Sequence, residues 1–170
     1  MRMTPDAPSG AVLTAATIAT GLVAGLFFAF SVAVMPALGR TADRTFVDVM
    51  QQVNAAIQNP AFFLAFLGAP LLIAVAAVLQ WRSPALPWIL AGLALYGIMI
   101  VVTAVVNVPL NNVLADAGPA SGIDDPAGVR AAFEARWVRW NLVRTLTSAT
   151  ALGCLVWAVR SSGSAAPWAS

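Results

Sequence analysis

Residues 61–81, AFFLAFLGAPLLIAVAAVLQW, and residues 86–107, LPWILAGLALYGIMIVVTAVVN, are separated only by Arg82-Ser83-Pro84-Ala85. Neither run carries a charged side chain. A helix rises ~1.5 Å per residue, so ~20 apolar residues cross the ~30 Å hydrocarbon layer of a bilayer. The two runs therefore read as a transmembrane hairpin. The flanking sequence repeats the pattern: no charge falls between Ala7 and Gly39 or between Thr145 and Val159. Four spans are expected, at about Ala11–Met35, Ala61–Trp81, Leu86–Asn107 and Trp140–Val159. The first is far longer than the ~7–15 apolar residues of a signal peptide, so it is expected to remain as a membrane helix.

Composition agrees. Of 170 residues, 60% are hydrophobic and 9% charged, whereas a soluble domain is about 25% charged. Mean hydropathy is +0.83 and the pI about 9.5. That pI reflects a net charge of only +2, which argues against nucleic acid as a partner. The sequence has no His and a single Cys, Cys154. This removes the commonest general base, the commonest metal ligand and any intrachain disulfide or zinc-thiolate cluster. No metal site and no cofactor are predicted.

The expected fold is all-α. It is a four-transmembrane-helix bundle with two amphipathic interfacial helices in the long loops at one face, forming one integral membrane domain over residues 1–170. In the first loop, Phe46, Val49, Met50, Val53 and Ile57 recur at helical spacing, and Asn59-Pro60 breaks the chain before the second span. In the second, Gly118–Gly122 reads as a flexible turn and Asp125-Pro126 as a helix start. Val129, Phe133, Trp137 and Trp140 form the apolar stripe there. Both halves place a proline near a span end, Met35-Pro36 and Val108-Pro109, which suggests a tandem two-helix repeat. Gly21 and Gly25 form a GxxxG of the kind used in close helix contacts. Residues 161–170 read as a polar tail.

A cell-membrane location is expected. Arg2, Arg82 and Arg160 fall on the side of the termini, against Arg40, Arg44, Arg130, Arg136 and Arg139 on the other. The basic count favours the long loops inside. Those arginines are balanced by carboxylates, however, and the reading adopted is that the termini are cytoplasmic. The sequence leaves oligomeric state open, a homo-oligomer included.

In a membrane protein the polar residues carry the information. Here they gather at the helix ends of one face: Ser31 and Met35 on span one, Asn54 before span two, Asn107 and Asn111 on span three, and Arg136, Asn141 and Arg144 on span four. Arg144 is the sharpest, because it lies about one turn inside an apolar run. Trp137, Asn141 and Arg144 follow i, i+4, i+7 and share a face. Trp140 stands one turn above Arg144, so guanidinium–indole stacking is expected on that face. The alternative is an Arg144 that snorkels to headgroups beside a belt of Trp. The reading adopted is a polar cavity at one face, roofed by the amphipathic segments. Arg144, Asn107, Asn111 and Asn141 are its donors, and Trp137, Trp140, Arg136, Asn54, Met35 and Ser31 line it. Asp48 is the candidate base, with Glu134 or water as alternatives. Glu134 lies four residues after Arg130, which also suits a plain ion pair.

Four segments carry a family resemblance: Phe28-Ala29-Phe30-Ser31 with Val34-Met35-Pro36-Ala37-Leu38, Met50 through Pro60, Asn107-Val108-Pro109-Leu110-Asn111, and Arg136 through Thr145. In this order and spacing the chain resembles the anthrone oxygenase-like family of small integral membrane proteins. The family takes its name from fungal members that convert polyketide anthrones to anthraquinones with O2. The resemblance implies the membrane fold, and an oxygenase acting on an anthrone or related phenolic, with O2 as co-substrate. Two other classes stay open. One is a binding or transport protein for a small lipophilic aromatic or quinone. The other is a structural membrane subunit whose polar residues only hold helix ends together.

Overall fold

The computed structural model describes residues 7–163. Arg2, Asp6 and residues 164–170 of the expected tail lie outside the described residues. Five helices make up the described chain: α1 (Pro8–Leu38), α2 (Asp43–Ala56), α3 (Pro60–Leu79), α4 (Leu86–Asp116) and α5 (Pro126–Gly163). All but α2 are long and apolar enough to cross a membrane. No strand occurs among the described residues.

The sequence signals explain most boundaries. Asn59 caps α3, its Oδ1 accepting from the Phe62 N–H at 3.0 Å, and Pro60 takes the first turn. Asp125 caps α5 through the Gly128 N–H at 2.9 Å. Gly118 ends α4 in the left-handed region at φ 78°, which glycine adopts without steric cost. A short 3-10 turn, Ala120–Gly122, follows.

Two boundaries differ from expectation. α4 passes through Pro109 and runs on to Asp116. The amphipathic stretch after Asp125 is not a separate helix, because α5 continues from it into the membrane and on through Gly163. No Gly or Pro interrupts residues 129–152, so nothing breaks the helix there. Only α2 is a free-standing amphipathic helix.

Prolines are accommodated in three places. A helical proline lacks an N–H and its ring crowds the carbonyl four residues back. α1 and α4 meet this with the same device, a wide π-turn just before the proline. Phe30–Val34 precedes Pro36, with the Met35 N–H on the Phe30 carbonyl, and Thr103–Asn107 precedes Pro109, with the Val108 N–H on the Thr103 carbonyl. This likeness between the halves stops there, since the second half lacks a counterpart of α2. In α3, Pro70 frees the carbonyl of Phe66, and the buried Tyr96 hydroxyl of α4 donates to it at 2.9 Å. Tyr96→Phe leaves that carbonyl bare in an apolar interior. The expected cost is about 1–3 kcal/mol, read as a lower unfolding temperature in detergent.

Packing divides into two cores. In the membrane, α5 lies against α1 and α4, and α3 against α1. Small residues let the backbones approach: Ala16, Ala69, Ala76, Ala151 and Ala158 are fully buried. The tightest approach is at Gly92, where a Cβ would stand 3.0 Å from Leu155 Cδ2 and 3.4 Å from the Ala151 carbonyl. The Gly21/Gly25 pair does not make such a contact, because Gly25 faces open space. Leu22, Leu64, Leu71, Val78, Val105 and Leu146 point outward, as a lipid-facing surface requires.

The second core sits at the end of the bundle. α1 and α4 are each 31 residues, about 46 Å, and α5 is 38 residues, about 57 Å. Each exceeds the ~30 Å hydrocarbon layer. The excess length of α1 and α4, with the start of α5, forms a cap closed by α2. Phe46, Val47 and Met50 of α2 bury against Met35, Leu38, Leu110, Leu114, Ile123, Phe133 and Trp137.

Polar side chains pin the cap. Arg44 donates to the carbonyls of Ala120 and Ile123. Gln51 Nε2 donates to those of Leu114 and Gly118 at 2.7 and 2.9 Å. Arg130 holds the α1–α2 turn to α5, donating to Gly39 and Thr41 carbonyls at 3.0 Å, to Asp43 at 3.0 Å and to Glu134 at 2.6 Å.

Candidate functional site

Between the two cores lies a polar seam. One face of α5 carries Trp137, Asn141, Arg144, Thr145 and Ser148, all buried, at spacings that keep them in one stripe toward α1 and α4. Arg144 stands thirteen residues before Trp157, roughly 20 Å deeper along the helix. Trp157 packs on Trp88 at the opposite membrane face, ring centroids 5.9 Å apart. The guanidinium therefore sits in the apolar slab, toward the cap.

Asn141 organises the seam. Its Nδ2 donates to the Phe27 carbonyl at 3.1 Å and to Ser31 Oγ at 2.8 Å, and its Oδ1 accepts from Arg144 Nη2 at 2.8 Å. Thr145 Oγ1 donates to the Asn141 carbonyl at 2.9 Å and lies 3.0 Å from Ser31 Oγ. Thr145 has spent its one proton, so Ser31 is the donor in that pair. Asn141 thus ties α1 to α5 at the first residues of the α1 π-turn.

Arg144 is 6% exposed. Its Cζ lies 4.3 Å from the Phe27 ring centroid and 5.2 Å from that of Trp137, a cation between two π-faces. Its Nε is buried with no partner. Among the described residues no carboxylate stands within ion-pair distance of it. Trp137 is held in turn: its Nε1 donates to Asn111 Oδ1 at 2.9 Å, and its ring packs on Phe30 and Phe133.

Asn107 is the seam's other anomaly. It closes the π-turn of α4, is fully buried, and neither its Nδ2 nor its Oδ1 has a partner. α4 and α5 run antiparallel, and Asn111 is bonded to Trp137. One turn deeper on each helix brings Asn107 to the level of Asn141.

Outside the seam, a cleft of about 350 Å³ opens between α2 and the end of α4, lined by Gln51, Asn54, Gln58, Asn111 and Asn112 among others.

The structure therefore brings together Ser31, Asn111, Trp137, Asn141 and Arg144, sets Asn107 beside them and places Asn54 across the cleft from Asn111. The expected single cavity is replaced by a packed seam and a separate cleft, with Asn111 and Trp137 between them. Arg144 is turned inward rather than snorkelling. Its indole is Trp137, two turns back, instead of Trp140. A helical side chain leans toward the N-terminus, and a long Arg reaches that far. Trp140 is half-buried at the edge of the stripe and Arg136 is exposed. Met35 is buried in the cap core. Asp48 is exposed on the outer side of α2, accepting from Gln52 at 3.0 Å, so it does not reach Arg144. Glu134 is engaged by Arg130. Phe27 and Thr145 were missed, although each stands one turn from a residue singled out, Ser31 and Asn141.

The fold and seam define a four-span helical membrane protein with a buried cation that has no counter-ion among the described residues. A family model for anthrone oxygenase matches residues 56–154, more than half of the chain, and the protein belongs to that family. The match takes in Asn107, Asn111, Trp137, Asn141 and Arg144, and leaves Phe27 and Ser31 outside. No curated protein and no solved structure matches the chain.

Proposed function

We propose that this protein oxidises a flat, lipophilic aromatic of the anthrone or phenol class with O2, holding the substrate as its anion against Arg144. The observation that carries this reading is the guanidinium itself, buried, flanked by Phe27 and Trp137, and without a carboxylate among the described residues. A buried cation left unpaired is costly, and a delocalised oxyanion bound there would supply the missing charge. The free Nε–H and the Asn107 amide offer donors, and Phe27 and Trp137, which now cover the guanidinium, would part to admit the ring between them.

The chemistry balances without a cofactor. An anthrone methylene loses a proton, giving a phenolate-like anion. That anion gives one electron to O2, and the radical pair joins through a new C–O bond to a hydroperoxide. Loss of the second methylene proton with cleavage of the O–O bond releases water and leaves the new carbonyl. One anthrone and one O2 become one anthraquinone and one H2O. Asp48 and Glu134 are held elsewhere, so the first proton goes to water or to a phenolate of the substrate. The residues act by binding and stabilising the anion.

That lack of a nearby carboxylate also favours a second reading, a carrier that binds the aromatic without turnover. Purified protein in lipid discs separates the two. The oxygenase reading expects one O2 consumed per anthraquinone formed, well above the rate with empty discs. Oxidation no faster than in empty discs, with the aromatic still bound, would leave the carrier.

A further inference from the structure

Arg144 is almost wholly enclosed, so whatever it receives needs a way in. From water the cap bars the way. Opening it would break the bonds of Arg44 to the Ala120 and Ile123 carbonyls and those of Arg130 to Gly39, Thr41, Asp43 and Glu134. Hydrogen bonds from a charged group are the strong ones.

The side toward α3 is different. Gln80, at the end of α3, reaches the Ser9 carbonyl of α1 at 3.4 Å. Eighteen residues separate Gln80 from Phe62 on α3, and eighteen separate Ser9 from Phe27 on α1. The two helices run antiparallel, so Phe62 stands level with Phe27, the ring against the guanidinium. α3 begins at Pro60 and packs on α1 and α4, with no comparable interface to the cap. Its first turns carry a file of rings. Phe63 is 43% exposed, Phe62 half-buried, Phe66 buried and Tyr96 of α4 fully buried. Phe62 lies 5.6 Å from Phe63 and stacks on Phe66 at 5.2 Å and 23°, and Phe66 lies 6.4 Å from Tyr96. Phe27, Phe66 and Tyr96 belong to one buried cluster, and Phe62 packs against it. The file thus leads from the lipid-facing surface to the level of Arg144. Packing alone holds the Phe62 ring, and lipid tails are as apolar as the core it would leave. Swinging it outward therefore costs far less than opening the cap.

We propose that a neutral, flat aromatic dissolved in the bilayer enters the seam sideways, between the start of α3 and α4, and that the Phe62 ring is its gate. This rests on the reading that Arg144 receives the aromatic. A charged molecule is costly in that layer, so the ligand enters neutral and gives up its proton only beside the guanidinium.

Exchange kinetics test the gate with a monofluorinated anthraquinone, which is lipophilic, neutral and not oxidised further. Full-length protein in lipid discs is followed by fluorine NMR at equilibrium. The populations of the lipid-dissolved and bound signals give the affinity, and their broadening gives the exchange rate. Phe62→Ala should speed entry and exit alike, by about 10-fold, and leave the populations unchanged. Phe62→Leu, which keeps more of the packing, should act in the same direction and less. Arg130→Gln, which loosens the cap, should leave exchange as it is. Exchange that ignores both Phe62 variants, an Arg130→Gln variant that speeds it as much as Phe62→Ala, or no bound signal in the unmodified protein would overturn the gate. If exchange behaves as expected but anthrone is not oxidised, the gate stands and the oxygenase reading gives way to the carrier. If anthrone is oxidised while exchange ignores Phe62, the gate falls and the oxygenase stands.

Discussion

Replacing Arg144 with methionine is expected to lower anthrone oxidation by about 10²–10³-fold, the usual loss on removing a preorganised oxyanion donor. The same substitution should change stability little, because the removed charge offsets the loss of the donor to the buried Asn141 Oδ1. Methionine fills similar volume against Phe27 and Trp137 and removes a buried charge that has no carboxylate among the described residues. Apolar replacement of buried charge is often neutral or stabilising. Rate and unfolding temperature should therefore part company. If Arg144 only held helices together, Arg144→Met would lose stability first and activity as a consequence.

Asn141→Leu should behave in the opposite way. It removes the donor to Phe27 and Ser31 and the acceptor of Arg144. The guanidinium is then left without a hydrogen bond in an apolar layer. The expected loss is about 2–4 kcal/mol of stability, together with most of the turnover. The two changes are coupled through one bond, so they should not add. The Asn141→Leu/Arg144→Met double variant is expected to be more stable than Asn141→Leu alone, as measured by unfolding in detergent. Additive losses would mean that the bond between them contributes nothing.

The contrast shows what the sequence made legible. The number and placement of the spans followed from gaps between charges, because the bilayer imposes a minimum length on every span. The stripe Trp137, Asn141, Arg144 followed from helical period, because it lies on one element. Contacts between elements were not readable. Nothing in the spacing of α1 places Phe27 under the guanidinium or Ser31 on Asn141, since that depends on how far one helix slides along another. The pairing of Arg144 with Trp137 rather than Trp140 turned on side-chain lean. The continuity of α5 was obscured by a change from charged to apolar composition that looked like a boundary but contains no breaker. Asp48 was misplaced for a related reason: as a carboxylate near the right face it drew attention, but the packing of Phe46, Val47 and Met50 turns it outward. Arg130 looked like half of a surface pair, yet it also fastens the cap through Gly39, Thr41 and Asp43. Asn107 was marked by its place at the end of span three. That neither of its polar atoms finds a partner is visible only with every neighbour in place.

The account turns on whether the buried guanidinium receives an anion. An anaerobic titration of the protein with an anthrone, followed through the visible absorbance of its anion, tests this without any oxidation. The unmodified protein should bind the anthrone in anionic form at a pH where the free molecule is neutral, and Arg144→Met should bind it neutral or not at all. A bound anthrone that stays neutral in the unmodified protein, or an anion that forms equally well in Arg144→Met, would contradict it.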